Sequence, residues 1–113
     1  MKSFHSIKGS IVAPQGFLAA GLFCDVKRLG TGKGRNKGQK RDLAVIVSEV
    51  PAKAAGMFTT NQICAAPVKI CVEHIAKDNT QAIIVNSGNA NACTGPRGLK
   101  DSRERASLLA VEL

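Results

Sequence analysis

The chain has 113 residues, 44% of them hydrophobic, and a formal net charge of +8. That is the size of one small domain, with enough apolar content to exclude wholesale disorder. Trp and Tyr are absent and Phe occurs only four times, so stacking of nucleic-acid bases has little to work with. Seven of the 16 basic residues fall within 27–41, a span without an acid, and outside it nine basic residues face eight acidic ones. The basicity belongs to one segment, which argues against nucleic acid as a partner of the whole domain.

Residues 7–23 read I-K-G-S-I-V-A-P-Q-G-F-L-A-A-G-L-F. Pro14 and Gly16 break this run, so two short strands at 11–13 and 17–23 are expected, with a turn between them. The Gly/Lys/Arg stretch 27–41 is expected to be a basic surface loop. It fails the phosphate-loop pattern, because no Gly-Lys pair at the right offset is followed by Ser or Thr. It fails the dinucleotide pattern too, since Arg35 and Lys37 stand where glycine is needed. Loose contact with a polyanion is the functional alternative for this loop.

Residues 42–50, D-L-A-V-I-V-S-E-V, form the clearest strand, with Val45, Ile46 and Val47 expected to be buried on both faces. Pro51 is expected to end it. A weaker strand is expected at 54–60. Residues 66–72 alternate, with Val68, Ile70 and Val72 on one face, which predicts a third strand, followed by one helical turn at 73–77. Asp78, Asn79 and Thr80 signal a turn into a strand at 81–85.

That strand opens the most informative stretch, 83–95, I-I-V-N-S-G-N-A-N-A-C-T-G. An apolar strand runs into a loop of carboxamides, a hydroxyl and glycines, which let backbone N–H groups approach a ligand closely. A turn-rich strand-to-helix connection reads the same way. A helix is expected from Pro96, with Gly95 as its N-cap. Its apolar face is Leu99, Ala106, Leu109, Ala110 and Leu113, and Asp101 and Arg105 are spaced as an i,i+4 pair. The pattern is still running at Leu113, as expected of a chain that continues.

Thr94 and Gly95 are the candidate site residues. An anion is favoured at a helix N-terminus, and a Thr hydroxyl beside a free Gly N–H makes an oxyanion hole. Plain capping by Thr94 explains the same residues. No nucleophile stands out. Ser87 lacks the glycines of a nucleophile elbow, because Val85 and Asn89 hold those positions. His74 is a lone histidine at the end of an expected strand, and Cys93 has no histidine near it in sequence. The cysteines at 24, 64, 71 and 93 lack C-x-x-C spacing, so no metal and no cofactor is expected. The N-terminus lacks an apolar signal core, and no run approaches membrane-spanning length, so a cytoplasmic protein without a membrane partner is expected.

The chain resembles the N-terminal part of the alpha chain of the ornithine acetyltransferase family, also called glutamate N-acetyltransferase, of arginine biosynthesis. The resemblance runs from about Gly9 to Leu113. It rests on G-S-I-V-A-P-Q-G-F-L-A-A-G, on R-D-L-A-V-I-V-S-E-V-P-A-K-A-A-G-M-F-T-T-N, on A-A-P-V, and on the 83–95 segment with G-L-K-D after it. It implies an α/β fold, here the N-terminal fragment of a layered α/β sandwich with mixed sheets and flanking helices. Residues 1–113 would be part of one acetyltransferase domain. It implies a precursor that cleaves itself before a threonine, and that threonine becomes the nucleophile of a second, beta chain. The family moves an acetyl group from N2-acetylornithine to glutamate through an acetyl-enzyme, and some members also accept acetyl-CoA. The implied assembly is an alpha2beta2 heterotetramer. The family's oxyanion hole, a Thr-Gly pair in N-A-C-T-G, falls on Thr94 and Gly95.

Two departures stand out. Threonines 31, 59, 60, 80 and 94 all lie outside the family's cleavage context, so no nucleophile is expected in this chain and the 113 residues alone are expected to be inactive. The stretch 31–39 looks longer than the corresponding family loop and is read as a surface insertion. The competing class is a truncated family member without catalysis, acting as a polyanion-binding module through 27–41.

Overall fold

The computed structural model describes residues 4–26 and 41–113. Apart from Arg41, the expected basic loop lies outside the described residues. Three strands form one antiparallel sheet in the order β1-β2-β3: β1 (Phe17–Leu22), β2 (Leu43–Ala52) and β3 (Thr80–Asn86). Helix α1 (Ala66–Ile75) lies between β2 and β3 in sequence, and helix α2 (Gly95–Val111) follows β3. The expected α/β architecture is present, and these three strands are antiparallel throughout.

The β-branched run of β2 places it at the centre. Phe17 faces Ser48 and Leu22 faces Leu43 on one side. Leu43 faces Asn86 and Val47 faces Ala82 on the other. Pro51 does not end β2. The strand continues to Ala52, and the β3 register shifts between Val47 and Ala52. Pro51 has no N–H to give to a ladder, so the irregularity falls around it.

Three expected strands have another form. Residues 10–12 are a single 3-10 turn, Ser10–Val12, entered through Gly9 at φ +113. A Cβ on Gly9 would lie 2.9 Å from the Ala13 Cα, so the turn closes on a bare glycine. Residues 54–60 have no regular structure, because both edges of β2 are already taken by β1 and β3. Gly56 is held close instead, where a Cβ would come within 2.9 Å of Ile75 Cδ1 and of Phe58 Cζ.

Residues 66–72 are helical, not extended. Pro67 sits in the first turn of α1, where a missing N–H costs nothing. Ala66 and Ile70, one helical turn apart, are its buried residues. Val72, expected beside Ile70, points outward at 46% exposure. The helical turn expected at 73–77 is the last turn of α1, continued by a bond from the Lys77 N–H to the His74 carbonyl.

The two helices pack mainly on each other. Arg103 NH2 bridges both carboxylate oxygens of Glu73, at 2.8 and 3.1 Å, and ties α2 to α1. Both side chains are about half exposed, so the link orients the helices more than it stabilises them. Arg105 does not pair with Asp101. Asp101 meets Arg97 at 3.8 Å, while Arg105 lies on the half-buried stripe of α2 and reaches the end of β3.

Val45, Ile46 and Val47 are only half-buried, not covered on both faces. Among the described residues the buried apolar side chains are Ala66 and Ile70, while Leu18, Leu22, Val50 and Ile83 are exposed. Leu18, Leu22 and Ile83 belong to the strands, so the sheet presents apolar surface that the described residues do not cover. The 113-residue chain should bind a hydrophobic dye strongly and show no sharp transition in calorimetry. A cooperative melt with little dye binding would contradict the open sheet.

Candidate functional site

The site is built where β3 hands over to α2. The start of β2 anchors it. Asp42 is buried, and its carboxylate accepts the Cys24 N–H at 2.7 Å. The Asp42 N–H donates to the Leu22 carbonyl at 2.9 Å, and its own carbonyl accepts the Ser87 N–H at 2.8 Å. The first residue of the loop is thus fixed to the end of the sheet. Gly88, at φ +95, then turns the chain.

A line of carboxamides carries the loop to the helix. The Asn89 amide donates to Asn91 Oδ1 at 3.1 Å, and the Asn91 amide donates to Asn86 Oδ1 at 3.3 Å. Arg105 from α2 donates to the same Asn86 oxygen at 3.0 Å. Asn86 Nδ2 is buried without a partner among the described residues. The Asn91 carbonyl accepts the Ala66 N–H at 3.2 Å and the Thr94 hydroxyl at 3.3 Å. One residue therefore fixes the beginnings of both helices.

Thr94 is the N-cap of α2 and Gly95 its first residue, one position earlier than the pattern predicts. Thr94 makes no side-chain capping bond. Its hydroxyl turns back to Asn91, while its carbonyl takes the Gly98 N–H at 3.2 Å. Plain capping therefore does not account for this hydroxyl. Cys93 (φ +56), Thr94 (φ −93) and Gly95 (φ +62) alternate in the sign of φ, a backbone form that turns successive N–H groups toward one side. Pro96 has no N–H, so Gly95 supplies the donor at the first position of the helix terminus. A Cβ on Gly95 would meet nothing within 4 Å, so the side-chain side of this residue is open.

Two concavities meet at Thr94. One, of about 270 Å³, is polar and lined by Asn89, Asn91, Arg97, Asp101 and Arg105. The other, of about 500 Å³, holds Ile63, Cys64, Cys93, Gly95 and Leu99. Ser87 and His74 line neither. No group of three His, Cys, Asp or Glu side chains among the described residues is placed to hold a metal. No helix among them is long and apolar enough to cross a membrane.

Sequence reasoning placed Thr94 and Gly95 at the site but missed Gly98. A Cβ there would overlap the Thr94 side chain, so a glycine one turn into the helix makes room for the hydroxyl. The G-L-K-D segment held that signal. The shared cavity of Cys64 and Cys93 had none, since the two lie far apart in sequence.

The ArgJ family model matches residues 28–113. The arginine biosynthesis bifunctional protein ArgJ of Symbiobacterium thermophilum is 44% identical over 107 residues, covering 95% of this chain. That of Shouchella clausii is 45% identical over 113 residues, covering 98% of this chain. The chain spans only 25% of the length of either relative. Among solved structures, ArgJ from Bacillus halodurans superposes on 88% of this chain and 47% of its own, with a TM-score of 0.74 and 45% identity. The ornithine acetyltransferase of Mycobacterium tuberculosis, complexed with ornithine, covers 83% of this chain and 45% of its own, with a TM-score of 0.71 and 41% identity. The chain belongs to the ArgJ family.

Proposed function

We propose that this chain contributes the oxyanion-stabilising half of an acetyl-transfer site that moves an acetyl group from N2-acetylornithine to glutamate. The observation that carries the reading is the Thr94 hydroxyl. It is not used as a helix cap, and Thr94 and Gly95 line the same open groove. In acyl transfer a nucleophile adds to the acetyl carbonyl, and negative charge gathers on the oxygen. The Gly95 N–H can meet that charge directly, and the Thr94 hydroxyl meets it by turning its one proton away from the Asn91 carbonyl. The positive end of α2 favours the same charge. When the tetrahedral species collapses, the ornithine amine leaves, and the acetyl group stays on the nucleophile until the glutamate amine takes it.

The nucleophile in this proposal is the N-terminal threonine of a beta chain from the same precursor, within an alpha2beta2 assembly in the cytoplasm. Acetyl-CoA is a second donor that the same hole would serve, because its thioester passes through the same kind of oxyanion. The uncovered sheet supports a partner chain, since apolar surface of this extent gains from burial. Family membership and the ornithine bound in the Mycobacterium tuberculosis relative support the substrate class.

The 113-residue chain alone should give no acetyl transfer between N2-acetylornithine and glutamate in a radiolabel assay. Turnover by the pure chain that is lost in Thr94→Ala would contradict the missing nucleophile. Within a complete enzyme carrying this segment, Thr94→Ala should lower kcat by about 10²–10³-fold. Gly98→Ala tests the same hole from the helix side. In an ordinary helix that change stabilises by about 1 kcal/mol. Here the new methyl displaces the Thr94 side chain, so kcat should fall while circular dichroism shows undiminished helix. An unchanged kcat in Gly98→Ala would mean that the position of the Thr94 hydroxyl is unimportant.

A further inference from the structure

We propose that Cys64 and Cys93 form a paired-thiol modification site, which a small organic disulfide oxidises to a cross-link across the groove beside Thr94. The two cysteines lie 29 residues apart, in the segments that lead into α1 and α2. The fold brings those segments together. The Ala66 N–H donates to the Asn91 carbonyl at 3.2 Å. Cys64 lies two residues before the donor, and Cys93 two residues after the acceptor. Both cysteines are free, and both residues line the 500 Å³ groove. Cys71 is also free but sits on α1 and does not line it.

Accessibility orders the steps. Cys93 is exposed and Cys64 half-buried, so Cys93 reacts first. Its thiolate attacks one sulfur of the small disulfide, the S–S bond breaks, and one small thiolate leaves and takes up a proton. The Cys64 thiolate then attacks the Cys93 sulfur and expels the second small thiol. Two protein thiols are oxidised by two electrons, and the small disulfide is reduced to two thiols. The product ties the approach to α1 to the approach to α2. Cys93 adjoins Thr94, so the link also restrains the groove that Thr94 and Gly95 border. The inference concerns the thiols alone and does not depend on Thr94 and Gly95 stabilising an oxyanion.

Trypsin separates the relevant cysteines, with Cys64 in peptide 54–69, Cys71 in 70–77 and Cys93 in 78–97. The protein isolated from its source, with every chain that co-purifies, is treated with oxidised glutathione in native buffer and, in parallel, in guanidinium chloride, then alkylated, digested and weighed by mass spectrometry. In the unfolded chain, loop closure favours Cys64–Cys71, only seven residues apart, over Cys64–Cys93 by roughly eightfold. In native buffer the order should reverse, with 54–69 linked to 78–97 as the main product. In Cys64→Ser, glutathione should remain on Cys93 as a stable mixed disulfide. Three results would overturn the pair: the same product order in both buffers, separate glutathione adducts on Cys64 and Cys93 in the native chain, or equally ready cross-linking of Cys93 to another cysteine in Cys64→Ser.

Discussion

The Asn91 carbonyl is the point on which the described structure turns. It accepts the first N–H of α1 and the hydroxyl of the residue that caps α2. Two helices that would otherwise be joined only by their packing and the Arg103–Glu73 pair thus share one acceptor. The Asn91 side chain carries the connection on to Asn86 and the end of β3. Arg105 closes the circuit from the far side of α2. Sheet and helices are therefore joined chiefly by polar contacts, and the geometry around Thr94 follows from that junction. Such contacts are directional, so they fix position more strictly than apolar packing does.

This construction suits a site that is open on one side. The loop has its backbone tied at Ser87 and at Asn91, and Thr94 and Gly95 follow the second tie. Positive φ at Cys93 and Gly95 turns the chain sharply on either side of Thr94. Cys93 holds that conformation without being glycine, an energetic cost of the kind found where a backbone must serve a ligand. The surrounding surface is neither closed nor filled, and the sheet's apolar residues stay in the open. Together these features are those expected of the half-site proposed above.

Much of this was legible in the residues. The β-branched run around Ile46 gave β2, and the apolar run around Ile84 gave β3, because each lies between clear turn signals. Helix α2 followed from Pro96 and the 3.6-residue spacing. Helix α1 was misread because a seven-residue alternation of Val68, Ile70 and Val72 fits a strand, and only Pro67 argued otherwise. The strand expected at 54–60 failed for a tertiary reason, since β2 had no free edge to offer. Within the site, Thr94 and Gly95 could be named from N-A-C-T-G, but their support could not. Asn86, Asn91 and Arg105 meet only after the chain has turned at Gly88, and Gly98 matters only because the Thr94 side chain folds back over the helix. Local pattern reports elements, whereas the contacts that aim a hydroxyl are set by the fold.

The most direct test of the half-site is the composition of the protein isolated from its source, read by intact mass and N-terminal sequencing of every chain that co-purifies. A second chain beginning with threonine, held with the chain that carries Thr94 and Gly95, is the result predicted here. It would put the nucleophile on the opposite wall of the groove. A lone species of 11.8 kDa with no companion would contradict the account, leaving Thr94 and Gly95 with no nucleophile to serve.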